Sequence, residues 1–192
     1  MSDFWLYFTL GLEHVLDWTA YDHILFLVVL CAAYSFSSWR KLLLLVTFFT
    51  LGHTASLLLA HYEIVNVSSA YIEFLIPITI LVTALFNLFT AGKEHRHQKV
   101  VLLYIITIFF GLIHGFGFAR YYGMMKQEDS VLPLLEFALG VEASQVIVVG
   151  IVLILAFISQ MLFRFNKRDW ILVISSIVIG MTIPMAIENW PF

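Results

Sequence analysis

Apolar runs long enough to cross a lipid bilayer recur along almost the whole 192-residue chain. A membrane-spanning helix needs about 20 largely apolar residues. Within lipid, backbone polar groups must find partners inside the protein, so such runs fold as helices rather than as open strands. The chain is therefore predicted to be an all-α, polytopic membrane bundle of six transmembrane helices, at 21–36, 42–61, 70–89, 100–119, 131–163 and 170–188.

Two segments depart from this simple pattern. The stretch 4–16 is apolar but short, and polar residues follow at its end, so it predicts an interfacial or re-entrant N-terminal helix. As a structural alternative to a functional role, Asp17 or Thr19 could cap the first span, with His14 simply solvated. The fifth span is long enough either to tilt strongly or to break near Gly140.

Composition limits what else the chain can contain. Hydrophobic residues make up 61% of it and charged residues 12%, whereas soluble domains carry roughly 25% charged residues. We expect a single transmembrane domain over 1–192 with no separate soluble domain and no nucleic-acid partner. The single cysteine, Cys31, excludes an intramolecular disulfide and a zinc site built on cysteines.

The distribution of Lys and Arg predicts an orientation, because cytoplasmic loops are enriched in them. With the N-terminus outside, the inner loops carry eight and the outer segments two. We therefore expect a multi-pass protein of the bacterial cytoplasmic membrane with both termini outside. The inner set is Arg40, Lys41, Lys93, Arg96, Lys99, Arg164, Lys167 and Arg168, and the outer set is Arg120 and Lys126.

Histidines and carboxylates lie toward one face of this predicted membrane. An ionisable group at membrane depth is costly unless it is paired, ligated or hydrated. At 1.5 Å per residue, His53 and His114 would lie roughly 8–12 Å below the outer surface. The pattern predicts a metal site that opens to the outer face, with ligands chosen from His14, Asp22, His23, His53, His114 and Glu142.

Each part of this set also has a structural interpretation. A buried His53 could simply donate to a backbone carbonyl, and the three glycines around His114 could serve helix packing alone. Ser56 lies one turn from His53 on the same face. Glu142 shares a face with Gln145 and needs a cation, a proton or a partner at its depth. The roles of Asp17, Glu73 and Glu136 stay open.

Imidazole and carboxylate ligands without thiolate suit nickel, cobalt, zinc, iron or manganese, so ligand type does not select one metal. One hypothesis is a permease for a divalent cation. The alternative is an intramembrane zinc-dependent hydrolase of a lipid or membrane peptide, with a zinc-bound water, Glu142 or Asp22 as general base, and Ser56 as a polar helper. A structural or sensory subunit is the third. Membrane lipids are partners in each case, and the oligomeric state, including a homo-oligomer, is left open.

Four motifs together resemble the HupE/UreJ family of small bacterial membrane proteins, over most of the chain. They are a histidine at 14 followed by Asp-His-x-Leu-Phe at 22–26, Phe-Thr-x-x-His at 49–53, Gly-Leu-x-His-Gly-x-Gly-Phe-Ala at 111–119, and Gly-Val-Glu-x-x-Gln at 140–145. The resemblance implies nickel or cobalt uptake by secondary transport. It also implies that His14, Asp22 and His23 take up the metal first.

Two departures from the nickel-permease branch limit that transfer. In that branch five residues separate the first histidine from the Asp-His pair, whereas seven separate His14 from Asp22. The second signature of the branch, Phe-His-Gly-x-Ala-His-Gly-x-Glu, has only His114-Gly115 in a comparable setting. The chain looks like the second, less characterised branch, for which the fold transfers better than the substrate.

Overall fold

The computed structural model describes residues 3–65, 67–93, 100–125 and 130–191. Arg96, Lys99 and Lys126, together with the Arg120 side chain, lie outside the described residues. The described part is helical throughout. Its elements are α1 (Asp3–Leu16), α2 (Asp22–Ala32), a 3-10 turn (Phe36–Ser38), α3 (Trp39–His61), α4 (Ser69–Thr90), α5 (Val100–Met125), α6 (Leu132–Leu162) and α7 (Lys167–Glu188).

Five of the described helices, α3 to α7, are long and apolar enough to span a membrane. The chain is thus a multi-pass helical membrane protein, but six full spans are not confirmed. The first predicted span, 21–36, forms only the 11-residue α2. At 1.5 Å per residue α2 is about 16 Å long, roughly half the thickness of the hydrocarbon core.

The helix α2 ends at Ala32, and the chain leaves helical geometry soon after. Ser35 is extended, with φ −116° and ψ 168°, and its hydroxyl lies 2.9 Å from that of Ser37. The alternative in which Asp17 or Thr19 caps this helix is not observed, because Tyr21 is the N-cap residue and no side chain caps α2.

The N-terminal helix α1 packs along α6. A Cβ added at Gly11 would collide with the Phe137 carbonyl, and one added at Gly140 would collide with the Phe8 carbonyl. Tyr7 on α1 is also buried. This packing suits a re-entrant helix better than one lying in the interface plane. It also explains Gly140, because α6 runs through it without a break.

Helices α3 and α5 form the other close pair. Gly111 and Gly115 on α5 face the backbone of α3, and Gly52 on α3 faces the backbone of α5. Small residues four apart allow helices in lipid to approach this closely. The two close pairs, α1 with α6 and α3 with α5, meet at the histidines.

Candidate metal site

Three of the predicted ligands converge from three different helices. His14 lies in the last turn of α1, His23 in the first turn of α2 and His53 within α3. One ligand atom from each lies within 4.8 Å of the other two. Their ring centroids are 4.6 to 5.7 Å apart. We call these three residues the histidine cluster.

A fourth histidine lies beside the histidine cluster. The His114 ring centroid is 5.2 Å from that of His23, and only 1% of the His114 surface is exposed. Its Nδ1 lies 2.8 Å from the Phe110 carbonyl oxygen, one turn back on α5. A carbonyl can only accept, so Nδ1 carries the proton and Nε2 keeps a lone pair.

The free nitrogens are the strongest sign of a ligand. The Nε2 atoms of all four histidines are buried, and none has a hydrogen-bond partner among the described residues. Buried polar atoms nearly always have partners, so each exception calls for an explanation. Four at one place, each able to offer a lone pair, fit a divalent metal ion with a preference for nitrogen ligands. The residues present therefore suit a metal.

Asp22 orients the cluster from behind. Its Oδ1 lies 2.9 Å from His23 Nδ1 and accepts from the His23 backbone N–H at 2.7 Å. A carboxylate that holds the far nitrogen of a ligating histidine fixes its tautomer and orientation and raises its basicity. Asp22 was predicted as a ligand itself, but it is not one of the three residues with converging ligand atoms.

This arrangement predicts the effect of Asp22→Asn. The asparagine keeps the size but loses the charge that makes His23 a better ligand. We expect the affinity for nickel to fall by about 10- to 100-fold, as outer-shell changes do. Isothermal titration of the purified protein measures this, with Asp17→Asn as the matched control. Equal losses in both variants would contradict the role given to Asp22.

Asp17 is a suitable control because its carboxylate is engaged elsewhere. It accepts from the Thr19 backbone N–H at 2.8 Å and the Thr19 hydroxyl at 2.7 Å. These two donors lower the pKa of the Asp17 carboxyl below its usual value. Asp17 thus shapes the turn between α1 and α2 and is separate from the histidine cluster.

Aromatic rings pack around the histidines. The Phe118 ring centroid is 3.9 Å from that of His14, and the Phe49 ring is 5.1 Å from that of His114. Phe137 lies parallel to His53 at 6.2 Å. Such walls keep water out and strengthen electrostatic interactions within the site.

One side of the site is open. A cavity of about 850 Å³, which we call the acidic cavity, is lined by His14, His23 and His114 at its base. Its described lining contains no Lys or Arg. A cleft lined by negative charge raises the local concentration of cations. The carboxylates that line it are Glu13, Asp17, Asp22 and Glu73.

Two further predicted residues, Glu142 and Ser56, offer no ligand atom to the histidine cluster. Glu142 accepts hydrogen bonds from Thr47 and Thr50 on α3 instead. The Ser56 hydroxyl donates to the His53 carbonyl at 2.8 Å. No pattern in the sequence indicated that Glu13 or Glu63 would lie at a cavity. Glu13 nevertheless lines the acidic cavity, and Glu63 lines a neighbouring cavity of about 950 Å³ that shares Glu73 with it.

A family model described as HupE / UreJ protein matches residues 1–188. The chain belongs to the HupE/UreJ family. A comparison with curated proteins finds no match, and neither does a comparison with solved structures. The family is associated with nickel and cobalt transport, which agrees with the nitrogen ligands of the site. The histidine cluster lies at the first and second of the four motifs.

Proposed function

We propose that this HupE/UreJ protein is a membrane transporter of a divalent metal ion of the nickel or cobalt type. The four unpartnered Nε2 atoms carry this proposal, three of them on histidines that line the acidic cavity and the fourth on His53 beside them. The metal is the cargo and is taken from the side where the acidic cavity opens. The Lys and Arg distribution supports placing that side, together with the C-terminal end of α7, outside the bacterial cytoplasmic membrane.

The path begins with electrostatic attraction. The cation enters among the carboxylates of the acidic cavity and meets His14, His23 and His114 at its base. His53 completes the nitrogen set from the buried side, since it does not line that cavity. Exchange of water for imidazole nitrogens thus takes place in steps, from the most accessible histidines to the least.

A second cavity supports a route to the opposite side. It has a volume of about 340 Å³ and is lined by Lys41 and Lys167, which lie near the other ends of their helices. Phe26 and Phe110 line it as well, and the Phe26 ring is 5.5 Å from that of His114. These two rings separate the second cavity from the site. Transport requires them to move, and the lysines disfavour rebinding of a released cation.

The hydrolase alternative has less support from the geometry. It requires a general base and a polar helper beside the metal. Glu142 and Ser56 are engaged elsewhere, as described above. Asp22, the other candidate base, is held by His23. The transporter needs none of these three as a reacting group.

Uptake into sealed vesicles tests the proposal. Protein purified without a histidine tag is reconstituted into vesicles that enclose a metal-sensitive dye, and nickel or cobalt is added to the external solution. We expect uptake above that of protein-free vesicles, and loss of most of it in His23→Ala, because the metal site loses a ligand that lines the acidic cavity. Elemental analysis of the same protein provides the control for binding. Metal that is tightly held but never enters the vesicles would overturn transport and favour the enzyme.

A further inference from the structure

A second polar group lies between α3 and α6, apart from the histidine cluster. Thr47 Oγ1 is 2.6 Å from Glu142 Oε1, and Thr50 Oγ1 is 2.6 Å from Glu142 Oε2. Thr50 Oγ1 also lies 2.8 Å from Gln145 Oε1. These are three short oxygen-to-oxygen contacts among four side chains, all within membrane-spanning helices.

Counting hydrogens links the charge of Glu142 to the orientation of the Gln145 amide. Each short contact between two oxygens needs one hydrogen, since two lone pairs otherwise face each other. The two threonine hydroxyls supply only two hydrogens for three short contacts, and the Thr50 hydroxyl also lies 3.3 Å from the Val46 carbonyl oxygen. With the amide oxygen of Gln145 facing Thr50, a third hydrogen is present only when the Glu142 carboxyl is protonated. It then donates to Thr50, Thr50 donates to Gln145, and Thr47 donates to the other carboxyl oxygen.

The Gln145 amide offers a way to change that state. Gln145 has no exposed surface, and its Nε2 has no partner among the described residues. If the amide turns over, Nε2 donates to Thr50, and the Thr50 hydroxyl then donates to an ionised Glu142. The two amide orientations thus correspond to the two protonation states of one carboxyl.

No described residue forms a salt bridge to Glu142. The helices packed against α6 are α1, α2, α3 and α7, and α7 has its charged residues at its ends. The titratable side chains that α1, α2 and α3 bury or half-bury are Tyr7, His14, Asp22, His23, Cys31, Lys41, His53 and His61. The Lys41 ammonium lies over the Tyr34 ring, 5.4 Å from its centroid. A proton is therefore the simplest way to neutralise the Glu142 carboxyl in lipid.

We propose that Glu142 is a proton-binding site, distinct from the metal site, that couples metal movement to a pH difference across the membrane. The carboxyl takes up one proton to become the neutral acid and returns it when the Gln145 amide turns over. Thr50 links the two sites, because it lies one turn from His53 on α3. The coupling rests on the proposed transport, but the bound proton does not.

Infrared spectroscopy of the purified protein tests the bound proton without any transport. We expect a carbonyl band of a neutral carboxylic acid that Glu142→Gln removes and Glu136→Gln, on the same helix, leaves in place. The amide introduced by Glu142→Gln can make the same hydrogen bonds as the neutral acid, so the fold should survive. Thr47→Val provides a second check, because loss of its hydrogen bond should shift that band. A band that neither Glu142→Gln nor Thr47→Val changes would overturn the proposal.

Vesicles with an imposed pH gradient test the coupling. We expect metal uptake by the wild-type protein to depend on the gradient, and uptake by Glu142→Gln to lose that dependence. A variant that keeps the wild-type dependence would overturn the coupling while leaving transport in place. A wild-type protein that moves no metal under any gradient would instead overturn the proposed function, and the infrared band would still decide whether Glu142 binds a proton.

Discussion

Replacing His53 by alanine is expected to lower the affinity for nickel at least 100-fold while leaving the protein folded. The Nε2 atom of His53 is buried and unpartnered, and one ring nitrogen of His53 lies within 4.8 Å of a ligand atom of both His14 and His23. Outer-shell changes alone cost about 10- to 100-fold in metal affinity, so loss of a ligand should cost at least the upper value. Isothermal titration, with competing chelator where binding is tight, measures the change.

His61→Ala is the matched control for this prediction. His61 is the last residue of the same helix, α3, and is not a member of the histidine cluster. His114→Ala tests the fourth nitrogen. A smaller loss of nickel affinity than for His53→Ala would mean that His114 does not ligate the metal in the measured complex. If His53→Ala binds nickel as the wild type does and unfolds at a similar temperature, the proposed site is wrong.

The histidine cluster was predictable because lipid makes a lone polar group costly. In a soluble protein, His53 would have been read as a satisfied core residue, but four histidines at one depth call for a shared partner. The positions of these histidines in the sequence indicate only how deep each lies in the membrane. Only the fold shows that His14 meets His23 and His53, because that contact depends on α1 packing along α6.

Glu142 shows where depth misleads. It lies at a depth similar to that of His53 and was therefore assigned to the same site. Depth along the membrane normal says nothing of direction around a helix, and the Glu142 carboxylate faces Thr47 and Thr50. The missing information was which side chains of the facing helix Glu142 would meet. Thr47 belongs to no motif, and Thr50 was noted only as part of Phe-Thr-x-x-His.

The helices show the same division. The five long spans follow from length and apolar composition, and their predicted ends lie close to those of α3 to α7. The length of α2 was overestimated, because hydropathy does not distinguish an apolar helix from an apolar segment that leaves the helix after Ala32. The sequence left open whether the fifth span tilts or breaks near Gly140. The glycine instead allows α1 to approach, a contact between distant parts of the chain.

Gly115→Ala is expected to destabilise the protein and to weaken metal binding at the same time. A Cβ at this position would collide with the Ser56 hydroxyl and the His53 carbonyl oxygen across the α3–α5 contact. Overpacking of this kind costs about 1–3 kcal/mol. The displaced backbone is that of His53 itself, so the nitrogen set loses its geometry as the helices separate.

Gly123→Ala, on the same helix, gives the opposite expectation. Nothing lies within 4 Å of a Cβ added there, and alanine favours a helix over glycine by about 1 kcal/mol. The thermal unfolding temperature in detergent should therefore fall for Gly115→Ala and stay equal or rise for Gly123→Ala. The nickel affinity should fall only for Gly115→Ala. Both variants replace glycine by alanine on the same helix, so helix propensity cannot explain changes of opposite sign in the unfolding temperature. Equal unfolding temperatures in the two variants would mean that α3 and α5 are not in close contact at His53.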